Sequence, residues 1–80
     1  MQREPFTSST IRSAGYDPAT QVLEIEFRNH RRYRYMEVPP EIFAGLRQAE
    51  SPGAYFTAQI RNDYECWRLV NPARSKHQGQ

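Results

Sequence analysis

The chain has 80 residues and a formal net charge of +2, which suits one small domain with a single hydrophobic core. Its only cysteine, Cys66, excludes an intramolecular disulfide and therefore a disulfide-stabilised secreted scaffold. No segment approaches the roughly 20 apolar residues of a transmembrane helix, and the N-terminus has no apolar stretch typical of a signal peptide. We therefore expect a cytoplasmic protein that does not bind membranes. Cys66 is expected to be a small buried or half-buried side chain rather than a reactive thiol.

Polar composition predicts a disordered tail at each end of the chain. Residues 1–8 have no strand or helix pattern, and residues 71–80 contain a single apolar side chain, Ala73. We expect residues 9–70 to form one domain.

Three segments near the N-terminus have the pattern of β-strands. Residues 10–16 lead into the turn residues Asp17-Pro18. Residues 22–27 then alternate between apolar and acidic side chains, and residues 32–36 again show a period of two. The apolar side chains expected on one face of the middle strand are Leu23, Ile25 and Phe27.

Two helices are predicted after the strands. The first begins at Pro39-Pro40, which offer the backbone angle of a helix start, and Glu41 suits its positive end. The second begins with Ser51 as N-cap and Pro52 as first helical residue. The expected buried stripes are Ile42, Phe43, Leu46 and Ala49 in the first helix and Tyr55, Phe56, Gln59 and Ile60 in the second.

The predicted fold is α+β. A three-stranded antiparallel sheet is followed by two helices packed on one face, in the order β-β-β-α-α. Residues 64–70 are compatible with a short extra C-terminal strand or with extended coil.

Residues 28–35 combine four arginines with two tyrosines. Arginine binds phosphate through a planar fork of donors and tyrosine can stack on a base, so the stretch suits nucleic acid. An amphipathic hairpin would show the same pattern. The chain has ten arginines against one lysine, Lys76, which fits either codon bias in a GC-rich genome or a phosphate-binding surface.

The length of the hairpin loop decides where the tyrosines point, because a shift of one residue reverses every side chain. A two-residue loop would place Phe27 opposite the charged Arg34. A three-residue loop at 29–31 instead pairs Phe27 with Tyr33 and Ile25 with Tyr35. We therefore expect both tyrosines beneath the helices.

The same register predicts an open sheet face, with Glu26 opposite Arg34. Its expected side chains are Glu24, Glu26, Arg28, Arg32, Arg34 and Met36, joined by Arg12 and Tyr16 if Ile11 points inward. This face is either a solvated surface of paired charges or an electrostatic platform on which Tyr16 stacks a base.

No catalytic or metal-binding pattern accompanies this surface. His30, His77 and Cys66 lack the spacing of metal ligands. The scattered glycines form no phosphate-binding loop, so we expect no enzyme activity, metal or cofactor.

Two residues near the C-terminus have alternative interpretations. Arg61 either caps the second helix or pairs with Glu65, or it joins Arg28 and Arg32 in a binding rim. Trp67 is expected to close the core rather than to stack a ligand.

The order and spacing of many residues resemble the KTSC domain over about residues 8–69. The residues that carry the resemblance are Ser9, Ile11, Gly15-Tyr16-Asp17, residues 23–27, Tyr33-Arg34-Tyr35, Val38-Pro39, Ala49, Ser51, Gly53, Tyr55-Phe56, Ile60-Arg61 and Tyr64. This family is named for its place at the C-terminus of some lysyl-tRNA synthetases and also occurs as a small bacterial protein. The resemblance implies a domain whose function is not established and for which RNA binding has been suggested.

This chain departs from the KTSC pattern in two respects. Its loop before Tyr-x-Tyr is Asn29-His30-Arg31, where members often carry glycine, and it contains no synthetase catalytic region.

We therefore hypothesise a non-catalytic accessory domain that binds RNA, such as tRNA, through a basic sheet face and hairpin loop. The candidate binding residues are Arg12, Tyr16, Arg28, Arg31, Arg32, Arg34 and Arg61, whereas Tyr33 and Tyr35 are expected to be structural. The alternative is a protein-interaction module or homodimer that uses a sheet edge or the open face.

Overall fold

The alternating segments form the centre of a five-stranded antiparallel sheet. A computed structural model of the chain describes residues 2–69. Its elements are β1 (Gln2–Pro5), β2 (Ile11–Asp17), β3 (Val22–Phe27), β4 (Arg32–Tyr35), α1 (Pro40–Gln48), α2 (Pro52–Gln59) and β5 (Cys66–Leu69). The strands lie in the order β1-β2-β3-β4-β5. The expected α+β class with two helices is confirmed, but the expected number of three strands is wrong.

The two additional strands lie at the edges of the sheet. β1 pairs with β2 inside the segment expected to be a disordered N-terminal tail, so that expectation is wrong for Gln2–Pro5. β5 pairs with β4, which decides between the two alternatives for the C-terminal segment in favour of a strand. The expected C-terminal tail, residues 71–80, lies outside the described residues.

Apolar side chains from the sheet and both helices form one core. Leu23 and Ile25 of β3 and Leu46 of α1 are fully buried. Phe56 of α2 is 7% exposed. The helices therefore cover the face of the sheet that carries the odd-numbered side chains of β3, as the alternation predicted.

Both helices begin where proline and serine signals predicted. Pro39 is the N-cap of α1, and the Ser51 hydroxyl accepts a hydrogen bond of 3.3 Å from the Ala54 amide at the start of α2. In the described part of the chain, neither helix is long and apolar enough to cross a membrane.

The β3–β4 loop has three residues, as predicted, but it begins one residue earlier. Phe27 accepts a hydrogen bond of 2.9 Å from the His30 amide and donates one of 2.9 Å to the Arg31 carbonyl, so the loop is residues 28–30. His30 has a φ of 70°, the left-handed position that closes a hairpin of this type. The expected loop at 29–31 is therefore wrong by one position.

The shifted loop moves every cross-strand partner by two residues and leaves the faces unchanged. Ile25 lies opposite Tyr33 and Leu23 opposite Tyr35. Both tyrosines therefore lie on the helix side, as expected, although their predicted partners are wrong.

Replacing His30 with glycine should stabilise the domain. A left-handed backbone destabilises a residue with a Cβ by about 1–2 kcal/mol, and glycine avoids this strain. Part of the gain is offset because glycine has a higher conformational entropy in the unfolded state. We expect a net gain of about 0.5–1 kcal/mol in the free energy of unfolding, measured by urea denaturation. Asn29→Gly is the matched control, because Asn29 has no positive φ, and should destabilise. An equal loss in both variants would contradict the assigned loop.

Candidate nucleic-acid interface

The sheet face opposite the helices carries the charged side chains of the central strands. Leu23, Ile25 and Tyr35 are buried on the helix side. Because successive side chains of a strand point to opposite faces, the residues next to them lie on the other face of the sheet. We call this surface the open face; its residues include Arg3, Ser13, Gly15, Glu24, Glu26, Arg32, Arg34, Trp67 and Leu69.

Glu24 is the electrostatic centre of the open face. Its carboxylate accepts hydrogen bonds from the guanidinium groups of Arg3 in β1 and Arg34 in β4, the latter at 3.3 Å. Gly15 lies between Arg3 and Glu24 in the strand order, so no side chain stands between the two charged groups. Glu24 is only 5% exposed as a result.

The pKa of Glu24 reflects this arrangement. Burial alone would raise it, but the hydrogen bonds and positive charges of Arg3 and Arg34 outweigh burial and hold the pKa below its ordinary value. Glu24 is therefore ionised at neutral pH, and its carboxylate is bound by two cations.

The loop shift also changes the ion pairs predicted on this face. Glu26 lies opposite Arg32 rather than Arg34, so the predicted Glu26–Arg34 pair is wrong. The Glu26 carboxylate accepts a hydrogen bond of 3.3 Å from the Ser13 hydroxyl and lies 4.0 Å from His30 Nδ1.

Trp67 is the large aromatic side chain of the open face. It lies in β5 opposite Arg34, and 57% of it is exposed. The expectation that Trp67 closes the core is wrong, because alternation in β5 turns it away from the helices. Sequence reasoning missed this position because the existence of β5 itself was left open.

Tyr16, expected on the open face, lies on the helix side. A β-bulge between Ile11 and Ser13 inserts Arg12 as an extra residue, which reverses the alternation along β2. The Tyr16 ring stacks on Phe43 of α1 at a centroid distance of 5.2 Å, and its hydroxyl donates to a backbone carbonyl at the start of α1. The predicted position of Tyr16 is therefore wrong.

Four candidate arginines lie at the hairpin end of the sheet: Arg12, Arg28, Arg31 and Arg32. Arg28 has a structural use, since its guanidinium donates to the carbonyl oxygens of Phe6 at 2.7 Å and Ser8 at 3.0 Å. Arg12, Arg31 and Arg32 are exposed, and no carboxylate within residues 2–69 forms an ion pair with them.

Arg31 lies outside the loop predicted for it, whereas Arg34 has its predicted face but a different acidic partner. Arg31 lies opposite Phe27 at the hairpin end, on the helix side by alternation. Arg34 is on the open face, but its Nε is already bound to Glu24. Arg32 therefore lies on the open face, and its guanidinium forms no ion pair within the described residues.

Arg61 is an exposed residue of the turn that follows the C-cap of α2. Burial, with the neighbouring Cys66 and Tyr33, raises the pKa of Tyr35 to about 12, and the positive charge of Arg61 partly opposes this. The rim that Arg61 was expected to share with Arg28 and Arg32 stays a prediction. The predicted Arg61–Glu65 ion pair does not form in the part of the chain that the structure describes.

Cys66 also differs from its expected environment. It is exposed at the start of β5, opposite Tyr35, so its expected burial is wrong. Residues 2–69 contain no group of three or more His, Cys, Asp or Glu side chains that could hold a metal ion.

Comparison with known proteins identifies relatives that cover nearly the same length. The KTSC domain family model matches residues 7–64. An uncharacterized protein of Stutzerimonas stutzeri is 43% identical over 70 residues, covering 86% of this chain and 99% of the relative. The crystal structure of a KTSC domain protein from Yersinia pestis superposes with a TM-score of 0.84 at 38% identity, covering 86% of this chain and 97% of the other.

A second group of relatives is much longer. A lysine–tRNA ligase of Nostoc punctiforme is 35% identical over 61 residues, which are 76% of this chain but only 11% of the ligase. A ligase of another Nostoc strain matches over the same length at 34% identity. The family match, the similar fold and the near full-length relative agree, and the chain belongs to the KTSC domain family.

Proposed function

We propose that this domain binds RNA through the open face, with Trp67 stacking on a base and Arg32 and Arg34 binding phosphates. The observation that carries the proposal is an exposed tryptophan directly across the strand pair from an arginine, on a sheet face that neither helix of residues 2–69 covers. Single-stranded nucleic acid is commonly bound by this combination of an aromatic stacking surface and adjacent cations.

The ligase relatives point to tRNA as the class of RNA to test first. In these proteins a segment similar to this chain is part of a lysine–tRNA ligase. A domain attached to such an enzyme gains from weak affinity for the same RNA, because attachment raises the effective concentration of the second binding site.

The charge of the open face limits the number of available phosphate ligands. Glu24 engages Arg3 and Arg34, and Glu26 lies opposite Arg32. Arg12 and Arg31 are exposed at the hairpin end, where they extend the basic surface beyond the acidic pair. We therefore expect modest affinity with a strong dependence on salt.

Salt dependence and one pair of double variants test the proposal. Trp67 is the only tryptophan, so its fluorescence reports titration with bulk tRNA. If a single strand is bound, the slope of log affinity against log salt is negative. Arg32→Ala/Arg34→Ala should make this slope less negative by about 1.4, at about 0.7 per phosphate contact. Arg47→Ala/Arg68→Ala removes the same charge from α1 and the helix side of β5, and should change affinity far less.

Two results would reject RNA binding. The first is an affinity that does not change with salt, and the second is an equal loss in both double variants, which would indicate only general charge attraction.

A protein partner remains the second candidate because β5 is an edge strand. Among residues 2–69 the sheet order ends at β5, so no strand of this part of the chain occupies its outer backbone groups, which another strand could pair with. Light scattering separates the candidates: RNA binding expects a monomer in the absence of RNA, whereas strand pairing between copies expects a mass that rises with protein concentration.

A further inference from the structure

We infer that the open face selects unpaired RNA, with one base on Trp67 and the adjoining backbone running along β4 toward the hairpin end; this inference rests on the proposed function. Trp67 can stack only on a base whose face is accessible. Bases inside a duplex are covered by their neighbours on both sides, so their faces cannot stack on a side chain of the sheet surface.

The position of Trp67 allows a base to approach it. Within residues 2–69, β5 is an edge strand, so no further strand of this part of the chain borders the tryptophan on its outer side. On its inner side lies Arg34, one strand spacing or about 5 Å away. A base on the tryptophan would therefore bring its phosphate over β4.

The cations of β4 on the open face form one line, in which Arg32 has no ion pair within residues 2–69 and Arg34 is bound through its Nε to Glu24. Arg34 and Arg32 are alternate residues of β4, so their Cα atoms lie about 7 Å apart along the strand. Arg12 is exposed at the hairpin end beyond Arg32, whereas Arg31 lies on the helix side. This line accommodates one backbone over a length on the order of four nucleotides, the lower end of site sizes for small β-domains.

The neighbouring strand opposes a second backbone. β3 carries Glu24 and Glu26 on the open face, next to β4. Arg3 lies beyond them in β1, but its guanidinium is bound to Glu24. A duplex lying across the sheet would place its second row of phosphates over Glu26, which repels it, and over Glu24 and Arg3, whose charges offset each other. Charge and stacking therefore both favour a single strand.

Three RNAs of related sequence test this inference: a single strand, the blunt duplex that it forms with its complement, and that duplex with an overhang of about four nucleotides. Anisotropy of the labelled RNA measures affinity, and Trp67 fluorescence reports stacking. We expect the single strand and the overhang to bind about tenfold more tightly than the blunt duplex and to quench the fluorescence. Trp67→Ala should remove about tenfold from single-strand affinity, and Trp67→Phe should restore most of it.

The outcomes separate this inference from the proposed function. Equal affinity for the blunt duplex and the single strand, or no effect of Trp67→Ala on single-strand binding, overturns the selection of unpaired RNA. In that case a loss in Arg32→Ala/Arg34→Ala would still support RNA binding. Absence of binding to all three RNAs and to bulk tRNA overturns both. Because Trp67 is mostly exposed, its variants should unfold at the same denaturant concentration as the native chain.

Discussion

Replacing Phe56 with alanine is expected to lower the free energy of unfolding by about 3–5 kcal/mol. Phe56 joins α2 to the centre of the sheet and is 7% exposed. Its ring meets those of Phe27 at 5.2 Å and Tyr35 at 5.6 Å, both edge-to-face. The variant loses the buried ring, both aromatic contacts and the packing around the resulting cavity. Urea denaturation followed by far-UV circular dichroism measures the change.

The same substitution at Phe43 is the control. Phe43 is only half-buried in α1, where it stacks on Tyr16. Phe43→Ala should therefore lower the free energy of unfolding by less, about 1–2 kcal/mol, because Phe43 buries less apolar surface on folding than Phe56 does. A Phe56→Ala loss no larger than that of Phe43→Ala would show that the core is centred elsewhere.

This aromatic cluster explains the Tyr-x-Tyr motif in structural terms. Tyr35 is 4% exposed and packs on Phe56, while Tyr33 is half-buried and meets the Phe27 ring at 5.8 Å. Tyr35 therefore anchors β4 to α2, and Tyr33 packs on β3 through Phe27. The arginine between them is directed to the opposite side of the sheet, where it meets Glu24. A single alternating motif thus builds the core and supplies part of the candidate interface.

The sequence predicted elements whose burial repeats over several residues. β3 alternates without interruption, and both helices have proline starts and apolar stripes, so their positions were predicted within a few residues. β1 and β5 are four residues long, and β1 has polar side chains at three of its four positions. Such short edge strands form because they pair with a neighbouring strand. Their own residues therefore do not predict them.

The open face was harder to predict than the core for two backbone reasons. The left-handed residue of the hairpin is His30, where a glycine would have marked the loop. The bulge at Arg12 reversed the alternation of β2 and moved Tyr16 to the helix side. Each is a change of one residue, and each reassigns partners across a whole strand. The structure consequently replaces Tyr16 with Trp67 as the candidate stacking residue.

Glu24→Gln is expected to have opposite effects on stability and on RNA affinity. The variant keeps the side-chain shape but leaves Arg3 and Arg34 without their shared counter-charge. Loss of a fully buried ion pair costs 3–5 kcal/mol, but both arginine side chains are partly exposed, 33% and 48%. We therefore expect about 2–3 kcal/mol. Glu26→Gln, the same change in the same strand at a residue with weaker contacts, should cost less.

The pH dependence of stability follows from the lowered pKa of Glu24. The unfolded state binds a proton near the ordinary pKa of 4.5, whereas the folded state binds it only at lower pH. The stabilisation is therefore complete above that value and is lost as the pH falls through the folded-state pKa. The stability curves of the native chain and Glu24→Gln should converge in acid. Curves that stay parallel would show that the charge of Glu24 does not stabilise the fold.

RNA binding should respond in the other direction. Removing the carboxylate releases Arg34 next to Trp67 and lowers the repulsion of phosphate, so we expect Glu24→Gln to bind a single strand about fivefold more tightly at low salt. The gain should shrink as salt rises, and Glu26→Gln should show a gain as well because the same face loses a charge. A Glu24→Gln variant that folds but binds more weakly would mean that the Arg3–Glu24–Arg34 cluster itself shapes the RNA site. Arg34 thus either stabilises the fold by pairing with Glu24 or binds phosphate. Comparing the two glutamine variants measures how much RNA affinity the ion pair with Glu24 costs.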